Sequence, residues 1–260
     1  MFQTILLDIE RNGVSTITLS RPEVYNAINK TMLVELKTAV DLCEKSSDIK
    51  VIVLTGEGKG FCAGQDLKSL SEEPKIQPKE LIIQYYNPLI MDIRNCSKPI
   101  ICKLNGVASG AGCSLALACD MVIASEVATL SEAFITIGLV PDSGSTYFLP
   151  RIVGRMKAFE LLALGSKISS AEALHWGLVN QVVPDSELDH YVWNLASKFA
   201  VGPSKSIAMI KSMLNKSYNN TLHDVLEMEA LMQEKAASTD DFIEGVKAFL
   251  EKRTPNYTGN

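Results

Sequence analysis

Histidine is scarce in this chain: His175, His190 and His223 are the three present, and none stands at metal-ligand spacing from another. An imidazole-built metal site is therefore not expected. Six cysteines occur, at 43, 62, 96, 102, 113 and 119, without a CxxC pair. They lie in apolar runs, so buried thiols in a reducing compartment are expected rather than disulfides or a zinc knot. No apolar run approaches a membrane span, and the opening MFQTILLDIERNG has an acidic residue inside its apolar part and no small-residue cleavage site. The expectation is a cytoplasmic protein with no signal peptide and no membrane partner. A basic excess is lacking too: 25 Lys and Arg face 30 Asp and Glu, a net charge of -5. That excludes a general field for nucleic acid, though not a local basic patch. No internal repeat and no low-complexity segment is visible.

What is present describes a full-sized globular core, with 260 residues, 47% hydrophobic and 21% charged. Phe2 to Ile9 and Val14 to Leu19 read as a hairpin, and Asn29 as the cap of a helix from Lys30 to Glu44. Val51 to Leu54 reads as a continuously apolar strand of the parallel, doubly covered kind, and Pro99 to Leu104, Met121 to Ala124 and Leu178 to Val183 read as further strands. A helix is expected from Lys79 to Asn95, and residues Leu67 to Pro78 read as a mobile flap on composition. From Gly154 the chain turns helical: Met156 to Leu164, Ser170 to Trp176, then Glu187 to Ala200, Ser204 to Leu214, Thr221 to Gln233 and Asp240 to Glu251. The last residues, from Arg253, read as a frayed end or as a tail packed through Tyr257. The alternation implies an α/β fold carrying a helical C-terminal part.

The densest stretch is KLNGVASGAGCSLALACD, Lys103 to Asp120: an apolar strand, a glycine turn, then the amphipathic segment Ser114 to Ala118. Such a turn leaves free N–H groups at a helix start, where they hold an anion or a developing oxyanion, or serve structure alone. About twenty residues on, IGLVPDSGST places a lone Asp142 between Pro141 and Ser143. An electrophile-binding turn and an isolated carboxylate are the two halves of a proton-transfer site, and spacing alone leaves that reading beside the structural one.

Five motifs then carry a resemblance: RPEVYNAI (Arg21 to Ile28), GFCAGQDL (Gly60 to Leu67), NGVASGAGCSLALACD (Asn105 to Asp120), GLVPDSGSTYFLPRIVG (Gly138 to Gly154) and GSKISSAEALHWGLVNQVV (Gly165 to Val183). In this order, over nearly the whole chain, they resemble the crotonase superfamily of enoyl-CoA hydratases and isomerases. GFCAGQDL with GLVPDSG most resembles its 1,2-epoxyphenylacetyl-CoA isomerases. The resemblance implies a spiral of repeated ββα turns over residues 1–201, a helical trimerisation part at 202–260, and assembly as a homo-trimer or dimer of trimers. It implies no tightly bound cofactor and no metal, with a CoA thioester as substrate. The family's two oxyanion N–H groups fall on Gln65 and Ala111. Its CoA-binding walls fall on Asn26, Ala27, Ala63, Gly64, Asp66 and Leu67, with Gly110 beside the second turn. Gln65 read without the family is a helix-start residue.

The departures bear on the reaction. The two glutamates of family hydratases fall on Ser114 and Phe134, and both carboxylates are absent. Glu132, two residues from the second position, would share its strand face and so offers a replacement base, although its neighbours favour a solvated edge or a salt bridge. Asp120 resembles a structural carboxylate. Asp142 matches the point where family isomerases place a single acid, and Val140 with Pro141 should raise its pKa. Capping the helix that begins near Ser143 is its alternative role. One carboxylate suits an isomerase that moves a double bond from C3 to C2 or rearranges 1,2-epoxyphenylacetyl-CoA to an oxepin. The alternatives are an enoyl-CoA hydratase and a non-catalytic CoA-ester binding protein.

Overall fold

The structure is a computed structural model and describes every residue except Met1, Arg11 and residues 73–76. The chain opens with strand β1 (Ile5–Ile9) antiparallel to β2 (Val14–Leu19). The Asn29 side chain accepts the Met32 N–H and starts α1 (Lys30–Lys45), whose buried residues Met32, Leu33, Leu36, Ala39, Val40 and Cys43 repeat at helical spacing.

From there each turn of the chain sends one strand to a large sheet and the next to a small one, then crosses back through helix. The first turn is β3 (Val51–Gly56), β4 (Gly60–Cys62), α2 (Leu67–Glu72), α3 (Pro78–Leu81), a π turn over Ile82–Tyr86, and α4 (Asn87–Asn95). The second is β5 (Ile100–Leu104), β6 (Val107–Ser109) and α5 (Ala111–Ala118). The third is β7 (Met121–Ser125), β8 (Thr129–Ser131), a 3-10 turn over Ala133–Ile137, and α6 (Ser145–Leu164). Strand β9 (Ile168–Ser169) closes the small sheet, α7 (Ser170–His175) follows, and β10 (Gln181–Val183) closes the large one. Helices α8 (Leu188–Ala200), α9 (Ser204–Ser217), α10 (Leu222–Ala237) and α11 (Asp240–Glu251) complete the chain. The large sheet runs β1-β2-β3-β5-β7-β10 and the small one β4-β6-β8-β9. This is the α/β spiral of ββα turns with a helical C-terminal region.

The inner strands β3, β5 and β7 are buried on both faces, which is why they are mostly apolar, whereas the edge strand β1 is half exposed. Ile52, Leu54, Ile100 and Cys102 face the main core with α1, α4 and α5, while Val51, Val53, Ile101 and Ile123 meet Leu188, Val192 and Ala196 of α8. Helix α9 is tied to this body by Lys211, whose Nζ lies 2.7 Å from Asp120 Oδ2 and donates to the carbonyls of Ile93 and Lys98, both at 3.0 Å.

Several expectations need correction. Helix α5 is buried on every side rather than amphipathic, because strands, α4 and α6 surround it. The stretch expected as a flap begins with the α2 helix, where the Asp66 carboxylate accepts the N–H groups of Lys68 and Ser69; its residues 73–76 lie outside the described residues. Helix α6 starts at Ser145, well before Gly154, and carries Pro150 with a kink at Gly154. The strand expected from Leu178 shrinks to Gln181–Val183. The C-terminal tail is packed: the Thr258 and Gly259 N–H groups donate to the Asp241 carboxylate, and Arg253 bridges Glu244. All six cysteines are free and buried.

Candidate active site

Strands β4, β6 and β8 are parallel neighbours in the small sheet, so the turns leaving their C-terminal ends are neighbours too. These turns bring together Ala63, Gly64, Gln65 and Leu67 from the first, Gly110 and Ala111 from the second, and Ala133 and Phe134 from the third. With Leu81, Tyr86, Leu139 and Asp142 they line a cavity of about 250 Å³.

The first two turns meet through bare backbone. Gly64 has φ +88°, and a Cβ there would sit 2.6 Å from the Ser109 carbonyl oxygen and 3.4 Å from the Ala111 nitrogen. A Cβ on Gly112 would fall 2.2 Å from the Cys62 carbonyl oxygen, so glycine is required for this approach too. Gln65 forms a parallel bridge with Ile28, in which Ile28 N–H donates to Gly64 O at 2.7 Å and Asp66 N–H donates to Ile28 O at 2.8 Å. Those bonds flank Gln65, whose own N–H points away from Ile28. Ala111 is the first residue of α5, so its N–H lies beyond the helix ladder. Neither N–H has an acceptor among the described residues.

Asp142 lies on the turn before α6, in which Ser143 and Gly144 both have positive φ. Burial pushes its carboxyl up, and the Ser143 hydroxyl, donating to Oδ1 at 2.8 Å, offsets part of that. The cover does not come from Val140, which is 80% exposed, but from the cavity wall. Nor does Asp142 cap α6: the cap residue is Gly144, with no side-chain cap bond.

The remaining wall residues sit outside the cavity lining. Asn26 is fully buried and its side chain is a structural tie, accepting Arg21 N–H and donating to the carbonyls of Glu57 and Gly60. The Ala27 carbonyl accepts from Arg21 at 2.6 Å. Burial would raise the Asp66 carboxyl, but the Ser69 N–H, the Arg21 guanidinium and the Lys68 N–H together hold it below its ordinary value. Of the two hydratase acid positions, Phe134 lines the cavity while Ser114 is buried behind it.

Glu132 reverses its expectation. It is not solvated, being 1% exposed, and has no ion pair among the described residues; burial pushes its carboxyl up to about 7. It is not among the residues that line the cavity. Tyr86 was invisible as a site residue, yet its hydroxyl donates to Gln65 Oε1 at 2.6 Å, and burial followed by the nearby Asp142 charge pushes its phenol well up. Pro88, inside the expected helix, is the signal for it: a missing N–H distorts the preceding turn into the π geometry that presents Tyr86. No cluster of His, Cys, Asp or Glu suited to a metal occurs among the described residues, and no helix described is long and apolar enough to cross a membrane.

The sequence model described as Enoyl-CoA hydratase/isomerase matches residues 9–260. A 1,2-epoxyphenylacetyl-CoA isomerase of Escherichia coli (strain K12) is 41% identical over 262 residues, covering 100% of each chain. A 2,3-dehydroadipyl-CoA hydratase of the same organism is 35% identical, covering 98% of each chain. Among solved structures, an enoyl-CoA hydratase from Bacillus anthracis superposes with a TM-score of 0.94 at 33% identity, covering 99% of this chain and 100% of that one.

Proposed function

This chain belongs to the enoyl-CoA hydratase/isomerase family of enzymes, and from that premise we propose that it is an acyl-CoA isomerase whose proton carrier is Asp142. One observation carries the reading: among the described residues a single half-buried carboxylate, that of Asp142, faces the cavity formed by the Gln65 and Ala111 turns, while the two hydratase acid positions hold Ser114 and Phe134.

In the proposed reaction Asp142 takes a proton from C2 of a 3-enoyl thioester. The C–H electron pair moves toward C1 and charge collects on the thioester oxygen, where the N–H groups of Gln65 and Ala111 receive it. Donors fixed in advance stabilise that charge without reorganising. The carboxylic acid then returns the proton at C4, giving the 2-enoyl thioester with no net change in composition. The upward shift of the Asp142 carboxyl by burial makes its carboxylate a stronger base than a solvated one, which favours the first proton transfer. Rearrangement of 1,2-epoxyphenylacetyl-CoA to the oxepin uses the same enolisable thioester, and the 41% identical isomerase favours it as a substrate. Ala63, Gly64, Leu67 and Gly110 would flank the thioester, with Asn26, Ala27 and Asp66 supporting the wall toward the CoA.

Residues 202–260 form the proposed assembly part of a homo-trimer or dimer of trimers in the cytoplasm. Phe249, Leu250 and Ile243 of α11 are 82%, 74% and 64% exposed, apolar surface that a neighbouring subunit would cover. Incubating the protein with 3-enoyl-, 2-enoyl- and 1,2-epoxyphenylacetyl-CoA and weighing the products tests the reaction. Isomerisation conserves mass; a product heavier by one water makes it a hydratase.

A further inference from the structure

Behind the cavity, three short contacts radiate from one hydroxyl oxygen. Ser145 Oγ lies 2.6 Å from Ser114 Oγ, 2.8 Å from Glu132 Oε2 and 3.0 Å from the carbonyl oxygen of Asp142. Each contact needs a proton of its own to be a hydrogen bond. Ser114 and Ser145 supply one each. The third can come from Glu132: its acid O–H donates to Ser145 Oγ, Ser145 then donates to the Asp142 carbonyl, and Ser114 donates to Ser145. With Glu132 ionised, two protons remain for three contacts, so the Ser145 hydroxyl no longer serves both Asp142 and Glu132, and the Ser145 N–H, 3.0 Å from the Asp142 carbonyl oxygen, is left to hold the turn.

The surroundings agree with this count. Ser114 and Ser145 are fully buried and Glu132 is 1% exposed. Besides Ser145 the Glu132 carboxyl has the weakly donating Cys113 thiol beside it, and no ion pair reaches it, among the described residues. The titratable groups facing it are Cys113 of α5, whose thiol burial keeps protonated, and Asp142 from the turn ahead of α6. An isolated carboxylate in such a place is costly, and the proton removes that cost. A second negative charge beside Asp142 would also oppose the ionised form that Asp142 needs as a base.

Resting on the role of Asp142 given above, we propose that Glu132 is a positioning residue that works as the neutral acid, supplying the third proton to Ser145 and so fixing the Asp142 turn. Ionising it takes the hydroxyl bond from the Asp142 carbonyl, loosens the turn and slows proton transfer. The reaction itself calls for an acidic limb alone, from ionisation of Asp142, so an alkaline limb is the signature of Glu132.

The test is the pH profile of C2 hydrogen exchange and turnover in wild type and Glu132→Gln, whose side-chain amide donates to Ser145 at every pH. Between pH 6 and 9 wild type is expected to lose about tenfold, the rate equivalent of one neutral hydrogen bond, and Glu132→Gln is expected to stay flat over that range. An alkaline fall in Glu132→Gln equal to that of wild type overturns the proposal. Infrared spectra of wild type grown with 13C-glutamate need no variant. A protonated glutamate carboxyl band at pH 6 that disappears above pH 8 supports the proposal, and its absence at pH 6 overturns it. Asp142→Asn separates the two ideas: undiminished exchange in that variant removes the proton-carrier reading, while the glutamate band still reports on Glu132.

Discussion

The Tyr86 hydroxyl stands 2.6 Å from Gln65 Oε1, so a side chain presented by a π turn holds the residue at the heart of the first site turn. Tyr86→Phe keeps the ring in its buried slot and deletes only the donor. It is expected to lower kcat/KM by about tenfold, in line with one neutral hydrogen bond. Steady-state kinetics decide: wild-type kcat/KM in the variant means that the bond does not organise the turn.

That same bond changes what substitution at Gln65 should do. Gln65→Ala leaves the buried Tyr86 hydroxyl without its acceptor and is expected to cost about 1–3 kcal/mol of stability while the backbone N–H survives. Gln65→Pro removes the N–H as well and should cost on the order of 3 kcal/mol in transition-state stabilisation, about a hundredfold. Urea titrations with circular dichroism establish folding first. A folded Gln65→Pro protein with wild-type turnover would falsify the oxyanion role.

Asp142→Asn keeps the size of the side chain and the turn but cannot accept a proton at neutral pH. Turnover of a 3-enoyl-CoA should fall by about 10² to 10⁴, with much less change in CoA-ester binding. Deuterium exchange at C2, read by mass spectrometry, is the measurement, and exchange at the wild-type rate contradicts the role.

Glu132 also ties stability to pH. Its carboxyl rises from 4.5 to about 7 on folding, so between those values the folded chain binds more protons than the unfolded chain. The stabilising contribution is whole below pH 4.5 and is lost as pH climbs through 7, on the order of 3 kcal/mol. Urea midpoints of Glu132→Gln should vary less steeply than those of wild type across pH 4.5 to 7. Parallel slopes would mean that Glu132 is ionised throughout.

Lys211 bridges α9 to Asp120 and to two carbonyls while only 7% exposed. Lys211→Ala leaves Asp120 with the more distant Arg94 at 3.6 Å and is expected to destabilise by about 3 kcal/mol. Hydrogen exchange in α9 should rise in the same variant; unchanged protection there would show that the helix is held by other contacts.

The β1–β2 hairpin, α1 and α11 were legible because apolar period and cap residues agree locally, and the site turns because their motifs are contiguous. What escaped depends on distant partners. Thr129, Leu130 and Ser131 around Glu132 read as a half-solvated strand, and nothing local announces that α5 and α6 close over it. Tyr86 finds its acceptor 21 residues earlier in the chain. Pro150 and Gly154 hid the start of α6, since each reads as a helix breaker, while packing of Phe148, Leu149 and Leu161 holds the kinked helix together. Burial of α5 on all sides does have a signature, eight small and apolar residues with no polar face, which the reading of Ser114 to Ala118 as amphipathic passed over.

The alternation of strands between two sheets has an evolutionary consequence. The proposed carbonyl-holding groups sit on the turns after β4 and β6, whereas Phe134 and Asp142 come from the next winding, after β8. Backbone ladders, not side chains, align these windings. Acids can therefore be gained, lost or moved on one winding without disturbing the electrophile holder on the others, and a new reaction costs a lineage only a few substitutions.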